Sequence, residues 1–356
     1  MSHALPHSDA LLARVNEAID SYFYRNIADS AAINMYYEQL WRDMHRLISS
    51  GGKRLRPQMV MSAYKAFGGT DEDPIVPIAA AQELLHMSLL IHDDVIDRDF
   101  IRYGVDNITG NYEKSHYALV ADPNDRLHYA QSAAILAGDL LISGSYQLMG
   151  ESGIDPAQII EIQKIHNRSI FEVAGGELID TESAFRLPGE VSAKTVALFK
   201  TASYTFVGPL LIGATLAHAT AEQKKLLKEY AQSLGVAYQL RDDVIGVFGA
   251  QEQTGKPTTG DIREGKYTFM VEQFYARATH EEQSQFDMYF GDKHIEQREV
   301  DIIKELLLSS GALQLTEEAI VQYAHRARAA LGKMDMPLGT LDDLEQLISI
   351  VTKREK

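Results

Sequence analysis

Apolar residues recur at i, i+3, i+4 and i+7 over residues 74–101, 128–150, 155–180, 191–217 and 221–247. That period matches the turn of an α-helix, so each stretch predicts a helix with one face turned to a core. Period-two alternation joined by Asn-Gly or Asp-Gly turns is absent, so no hairpin sheet is expected. Breaks fall at Gly51-Gly52, Gly68-Gly69, Asp122-Pro123-Asn124, Gly153 and Gly255-Lys256-Pro257, residue types that end helices. The least regular stretch, 102–127, reads as a polar surface loop. No low-complexity linker, composition shift or short-period repeat divides the chain. The expectation is one all-α domain over residues 1–356, with roughly a dozen helices at this spacing.

Composition narrows the function. The chain has 356 residues, with 34 Lys+Arg against 50 Asp+Glu and a net charge of −16. So acidic a surface is ill suited to nucleic acid, whose binding rests on cations displacing counterions. Hydrophobic residues make up 45% and charged residues 24%, as in a globular protein able to bury a core. There is no cysteine, which removes disulfides, thiolate metal sites and cysteine nucleophiles. No apolar run of about 18 residues suggests a membrane span. The start, MSHALPHSDALLARVNEAID, lacks a basic region followed by an apolar core and so does not read as a signal peptide. A soluble, cytoplasmic protein without stable membrane insertion is expected.

Two carboxylate clusters stand out. The first is His92-Asp93-Asp94-Val95-Ile96-Asp97-Arg98-Asp99. On a helix, Asp93 and Asp97 are i, i+4 neighbours and share a stripe with His86 and Leu90. They crowd the C-terminal end of an apolar helix, where the macrodipole is already negative. Something positive must compensate. The second cluster, Gln239-Leu240-Arg241-Asp242-Asp243-Val244-Ile245-Gly246, also ends an apolar helix. One acidic cluster at a helix end is commonly just solvated. Two of them suit Mg²⁺, a hard cation held by a few carboxylates together with substrate phosphates.

Basic segments accompany them. Gly51-Gly52-Lys53-Arg54-Leu55-Arg56-Pro57 places three cations in four residues at a loop-to-helix start, where glycines let an anion approach the backbone. Lys200-Thr201 opens another apolar stretch, with Tyr204 four residues on, and Gly255-Lys256-Pro257-Thr258-Thr259-Gly260-Asp261 is followed by Gly265-Lys266. No GxxxxGK[ST] phosphate loop occurs.

In order, GGKRLRP, HMSLLIHDDVID, LAGDLL, GGELID, KT, YQLRDDVIG and GKPTTGDIREGKYT resemble the trans-type isoprenyl diphosphate synthase, or polyprenyl synthetase, family. The resemblance runs from about Gly51 to Lys266. It implies an isoprenoid-synthase-type helical bundle around a central apolar cavity, in a homodimer. It also implies head-to-tail condensation of an allylic diphosphate with isopentenyl diphosphate. By similarity, Asp93, Asp97 and Asp242 would bind three Mg²⁺ ions, supported by Asp94 and Asp243. Arg102, Lys200 and Lys256 match positions that bind the allylic diphosphate. Lys53, Arg56 and His86 match positions that bind isopentenyl diphosphate. Thr201, Gln239 and Tyr204 match positions facing the allylic carbons, and Lys266 matches a lysine near the site mouth. The basic tail, Lys353-Arg354-Glu355-Lys356, resembles tails that close the pocket in some members.

The chain departs from the family pattern in places. Tyr103 stands where a second arginine usually helps to hold isopentenyl diphosphate, Gly246 where a third aspartate is common, and Glu177 where a glutamine is common. A terpene cyclase or head-to-head synthase would lack the GGKRLRP segment, and a non-catalytic regulatory subunit would tend to lose carboxylates. For product length, farnesyl-forming members carry an aromatic four or five residues before the first aspartate. Leu89 and Ser88 stand there, so a longer product, geranylgeranyl diphosphate, is expected, with Leu85 as the next floor. His92 and Trp41 read as packing residues, and Glu281-Glu282 and Asp342-Asp343 as solvated helix starts.

Overall fold

The computed structural model describes residues 9–249, 260–337 and 339–352. The chain forms two compact units, residues 2–163 and residues 164–356.

The first unit contains α1 (Asp9–Ala31), α2 (Met35–Ser49), α3 (Leu55–Ala66), α4 (Ile75–Ile96), α5 (Ile108–Ser115), α6 (Pro123–Gly150) and the opening turns of α7 (Pro156–Ser183). Local chemistry sets the starts. Asn34 caps α2 by accepting the Tyr36 amide, and Asp122 caps α6 ahead of Pro123, a residue suited to a first turn. α4 is the spine of the unit and packs against α1, α3 and α6. Its Ile78, Ala79, Leu84, Leu85, Met87 and Ile91 are buried. Beside it, Tyr22, Phe23 and Trp41 meet edge to face at ring separations of 5.6–6.0 Å, which confirms Trp41 as a packing residue.

The expected loop at 102–127 is instead partly ordered. A small antiparallel pair, β1 (Ile101–Arg102) and β2 (Val105–Asp106), leads into α5. Asn107 makes this possible: its side chain accepts the Gly110 amide as the α5 cap and donates to the Asp99 carbonyl at 2.8 Å. The signal is a single Asn ahead of an eight-residue helix, too short for periodicity to reveal.

In the second unit, residues 193–216 form one helical stretch whose middle is a π-helix: α8 (Ala193–Val196), the π-helix (Ala197–Val207) and α9 (Gly208–Leu216). Pro209 has no N–H to offer the carbonyl four residues back, Ser203 Oγ donates to the Phe199 carbonyl at 2.6 Å, and the Gly208 amide bonds to Ser203. α10 (Ala221–Phe248) starts with a Thr220–Gln223 capping box and packs against the π-helix and the helix Ala312–Leu331. α11 (Gly260–Glu264), α12 (Phe269–Tyr275), α13 (His280–Asp287), α14 (Gln297–Ser309), α15 (Ala312–Leu331) and α16 (Asp342–Thr352) complete the unit. Met270, Phe274, Phe286 and Ile303 form a core beneath α10's C-terminal end. Glu282 closes a capping box with Thr279, and Asp342 and Asp343 open α16, as expected of acids at helix starts.

Ile75–Ile96 and Ala193–Leu216 are long and apolar enough to cross a bilayer by length and composition. This corrects the expectation that no such run exists. Their apolar windows are 72% and 61% buried within the protein, as core helices are.

Candidate active site

In the first unit, α4 carries its carboxylates where its backbone ends. Asp97 caps the helix, and Arg98 follows with a left-handed φ of 60°. Asp93 and Asp97 bring carboxylate oxygens within 4.8 Å of each other. Asp94 is buried, 2% exposed. The compensating cation is Arg102. It donates from Nε to Asp94 Oδ1 at 2.9 Å and from Nη2 to Asp93 Oδ2 at 3.4 Å, and a further Nη2 contact reaches the same Oδ1 of Asp94. Burial pushes Asp94 up to about 6 against the pull of Arg102. Burial would depress Arg102, but Asp94, Asp93 and Asp99 together hold it above its ordinary value. Asp94 Oδ2 is buried without a hydrogen-bond partner.

Lys53 lies exposed in the loop before α3, and Arg56 is buried in α3's first turn. His86 is held well below the usual imidazole range, first by burial and then by the charges of Arg56, Arg102 and Arg54. Burial and three neighbouring arginines thus all favour its neutral form. Lys53, Arg56, His86, Asp93, Asp94, Asp97 and Arg102 thus belong to one unit.

Glycines explain the nearby motifs. A Cβ at Gly138 would strike the His92 ring at 2.1 Å. His92 Nε2 lies 3.2 Å from the Ile135 carbonyl, so LAGDLL seats a packing histidine, as expected. A Cβ at Gly51 would meet the Tyr103 ring at 2.8 Å.

In the second unit, the π-helix carries Lys200, Thr201 and Tyr204. A Cβ at Gly176 would fall 2.2 Å from the Lys200 amide nitrogen, and one at Gly235 would fall 2.3 Å from Ala202 Cβ. These two glycines let α7 and α10 close on the π-helix backbone. Lys200 Nζ lies 2.6 Å from Asp180 and 3.0 Å from Glu177, both from the GGELID segment. Thr201 Oγ1 donates to Gln239 Oε1 at 2.5 Å, and Gln239 Nε2 donates to Asp243 Oδ1 at 2.7 Å. Burial, Asp261 and Asp242 push buried Asp243 up to about 8, opposed by the Gln239 bond and by Lys266. Lys266 Nζ is 3.9 Å from Asp261. Arg241 faces away from this group, in a two-pronged pair with Glu317 at 2.6 Å on each prong.

Lys200, Thr201, Tyr204, Gln239, Asp242, Asp243 and Lys266 belong to this second unit. Lys256 and the 353–356 tail lie outside the described residues. Sequence reasoning did not single out Glu177, Asp180 and Asp261 as site residues. Their signal was the i, i+3 acid pair of GGELID and the aspartate five residues before Lys266.

The donor sets fit Mg²⁺. They are carboxylate oxygens, they cluster against like charge, and one buried oxygen of Asp94 has no hydrogen-bond donor. A hard divalent cation satisfies all three conditions.

A family model described as polyprenyl synthetase matches residues 38–307. The chain belongs to this family. It is accordingly a prenyltransferase with the all-α fold of its relatives. The geranylgeranyl diphosphate synthase of Sulfolobus acidocaldarius is 30% identical over 350 residues, covering 95% of each chain. The geranylfarnesyl diphosphate synthase of Aeropyrum pernix is 31% identical over 299 residues, covering 81% of this chain and 85% of that one. A crystal structure of geranylgeranyl pyrophosphate synthase from Corynebacterium glutamicum, complexed with isoprenyl diphosphate and magnesium, matches with a TM-score of 0.89 at 28% identity. It covers 97% of this chain and 99% of that one.

Proposed function

We propose that this polyprenyl synthetase condenses an allylic diphosphate with isopentenyl diphosphate head to tail and releases geranylgeranyl diphosphate. The observation that supports this most directly is that each carboxylate cluster has a cation beside it: Asp93 and Asp94 with Arg102, and Asp243, with Asp261 next to it, with Lys266. Bound Mg²⁺, three ions in this reading, supplies the positive charge that makes diphosphate a competent leaving group. Asp93, Asp97 and Asp242 would hold it, with Asp94 and Asp243 behind them. Lys200, Arg102 and Lys256 neutralise the allylic diphosphate, an electrostatic role that grows as charge develops on the leaving group. Thr201, Gln239 and Tyr204 line the path of the allylic carbons. Lys53, Arg56 and neutral His86 hold isopentenyl diphosphate. A water-poor cavity would protect the allylic cation left when the C–O bond to diphosphate breaks. The isopentenyl double bond attacks it to form the new C–C bond, and the resulting condensed cation loses a proton to the departed diphosphate, so no side-chain base is required.

Both carboxylate clusters and the Lys53–Arg56 segment are intact, which favours an active enzyme over a regulatory subunit or a cyclase. The whole chain is read as one synthase domain because the family match crosses from one unit into the other. Homodimer formation is supported by exposed apolar side chains, Ile135 and Leu136 on α6 and Phe171 and Leu178 on α7, and sedimentation equilibrium checks it. A cytoplasmic location is proposed to match water-borne diphosphate substrates.

The deciding experiment incubates purified protein with Mg²⁺, labelled isopentenyl diphosphate and a set of allylic diphosphates. Geranylgeranyl diphosphate is the expected main product. Exhaustive chelation abolishes turnover, and Asp93→Asn or Asp242→Asn lowers kcat about a hundredfold or more with the fold retained, because these charges act on the transition state. Turnover that survives chelation overturns the reading.

A further inference from the structure

The basic segment ahead of α3 contains one arginine that the mechanism leaves unused. Arg54 is the residue before α3's first turn, and its backbone is left-handed at φ 51° and ψ 39°, with no side-chain cap on the helix. Such a conformation is uncommon outside glycine, asparagine and aspartate, and persists where the surroundings impose it. The surroundings here are the guanidinium's own acceptors. Nε donates to Asn16 Oδ1 at 2.9 Å, Nη1 to the Gly51 carbonyl at 2.9 Å and to Glu83 Oε1 at 3.0 Å, and Nη2 to the Ile48 carbonyl at 2.8 Å. An arginine has five N–H donors, so only one is left. Glu83, on α4, is 1% exposed.

The loop wraps this pair closely. Gly52 has φ +108°, and a Cβ there would fall 2.6 Å from Arg54 Nη1. On the far side of Lys53, Gln58 Nε2 donates to the Lys53 carbonyl at 2.6 Å. The carbonyls of residues 48, 51 and 53 are therefore each held by a side chain; the last of them belongs to Lys53 itself, and Arg56 follows in the first turn of α3.

We infer that Arg54 and Glu83 form a buried positioning pair that shapes the connection between α2 and α3 so that Lys53, within it, and Arg56, in the first turn of α3, meet the diphosphate of isopentenyl diphosphate, Arg54 itself binding protein and not substrate. A buried ion pair adds little net stability over a packed apolar pair, because desolvation offsets the attraction. What it supplies is a defined geometry. Glu83 also keeps Arg54 occupied: its carboxylate and three neutral oxygens hold the fork away from any incoming anion. The inference rests on the proposed roles of Lys53 and Arg56.

The test is steady-state kinetics against each substrate separately, with thermal melting as a control. Arg54→Met and Arg54→Lys are both expected to raise the KM for isopentenyl diphosphate about tenfold, the size of effect a misplaced binding group produces, while the allylic KM stays within about twofold. Lysine keeps the charge but cannot reproduce a planar four-bond fork. If Arg54→Lys keeps the normal KM, the charge and not the fork is what counts, and the inference fails. Equal losses toward both substrates mark a general structural defect and overturn it too. Should the Arg54 variants not fold, Asn16→Leu removes one acceptor from α1, and an unchanged isopentenyl KM overturns the proposal. Lys53→Ala and Arg56→Ala run alongside. Normal isopentenyl KM values in those two sink the functional reading itself, whereas raised values with Arg54 variants unaffected sink only the positioning pair.

Discussion

The carboxylate of Asp261 lies over the Cα of Gly246: a Cβ placed on Gly246 would come within 2.1 Å of Asp261 Oδ2. The glycine that interrupts the second acidic cluster thus leaves space that an acid from α11 fills. After burial, the charge of Asp261 is the largest influence raising Asp243. The group is richer in carboxylate than the linear motif QLRDDVIG suggests, and Lys266 offsets only part of it.

This arrangement predicts the effect of filling the space. Gly246→Ala displaces Asp261, and Asp261→Asn removes its charge while keeping its size. Each is expected to raise the Mg²⁺ concentration for half-maximal activity about tenfold, the usual cost of losing a supporting residue around a metal. Melting temperature should change little, because α11 is short. A Mg²⁺ titration of both variants checks this, and curves that overlay the wild type place Asp261 outside the metal site.

The sequence carried the fold class because long amphipathic helices announce themselves by period. It carried the need for a cation beside Asp93 and Asp97, because acids at the end of an apolar helix crowd the negative end of the dipole; that Arg102 pairs with Asp93 and Asp94 came from the structure, the resemblance having implied for it a diphosphate-binding role. It could not carry Asp180 and Glu177 as partners of Lys200, since that pairing depends on Gly176 admitting the π-helix backbone. Nor did it carry the π-helix itself, because an apolar period of four to five over eleven residues blends into an α pattern. The α5 helix was hidden by its length, and the use of Arg54 was hidden because its acceptors come from α1, α2 and α4.

Tyr103 gives a second prediction. Its backbone is left-handed at φ 54°, and its ring covers Gly51, next to the Arg54–Glu83 pair. Tyrosine offers one neutral donor where an arginine would offer a charged fork. Tyr103→Arg is expected to lower the isopentenyl KM, and a charge-assisted bond worth about 1.5–3 kcal/mol makes the effect roughly tenfold or more. The allylic KM should hold. An unchanged isopentenyl KM shows that Arg56 and Lys53 already saturate the diphosphate.

His166, inside α7, is fully buried, and burial lowers its pKa to about 4. The unfolded chain titrates near the ordinary 6.5, so between about pH 6.5 and 4 the unfolded state binds more protons. Stability falls as pH drops through that window and levels off below it. From pH 7 to 5 the loss attributable to this group is about 2 kcal/mol, at about 1.4 kcal/mol per unit. His166→Asn keeps a polar side chain that does not titrate. Its stability by denaturant unfolding should be flatter than wild type across pH 7 to 5, and parallel curves assign the acid sensitivity to other groups.

Product length rests on α4. Ser88 is fully buried, and its hydroxyl has no hydrogen-bond partner, while Leu85 is 1% exposed. At 1.5 Å per residue, Ser88 lies roughly 7–8 Å along α4 from Asp93 and Leu85 about 12 Å. If the growing chain runs down this helix, a small Ser88 lets it pass and a branched Leu85 forms the next floor. Ser88→Phe is then expected to shift the product towards farnesyl diphosphate, and Leu85→Ala to lengthen it. Because Ser88 is buried, the phenylalanine can also strain its surroundings, about 1–3 kcal/mol for an overpacked site, so melting temperature is measured beside the product distribution. A folded Ser88→Phe enzyme that still makes the wild-type product moves the chain path to another wall, and the length determinant with it.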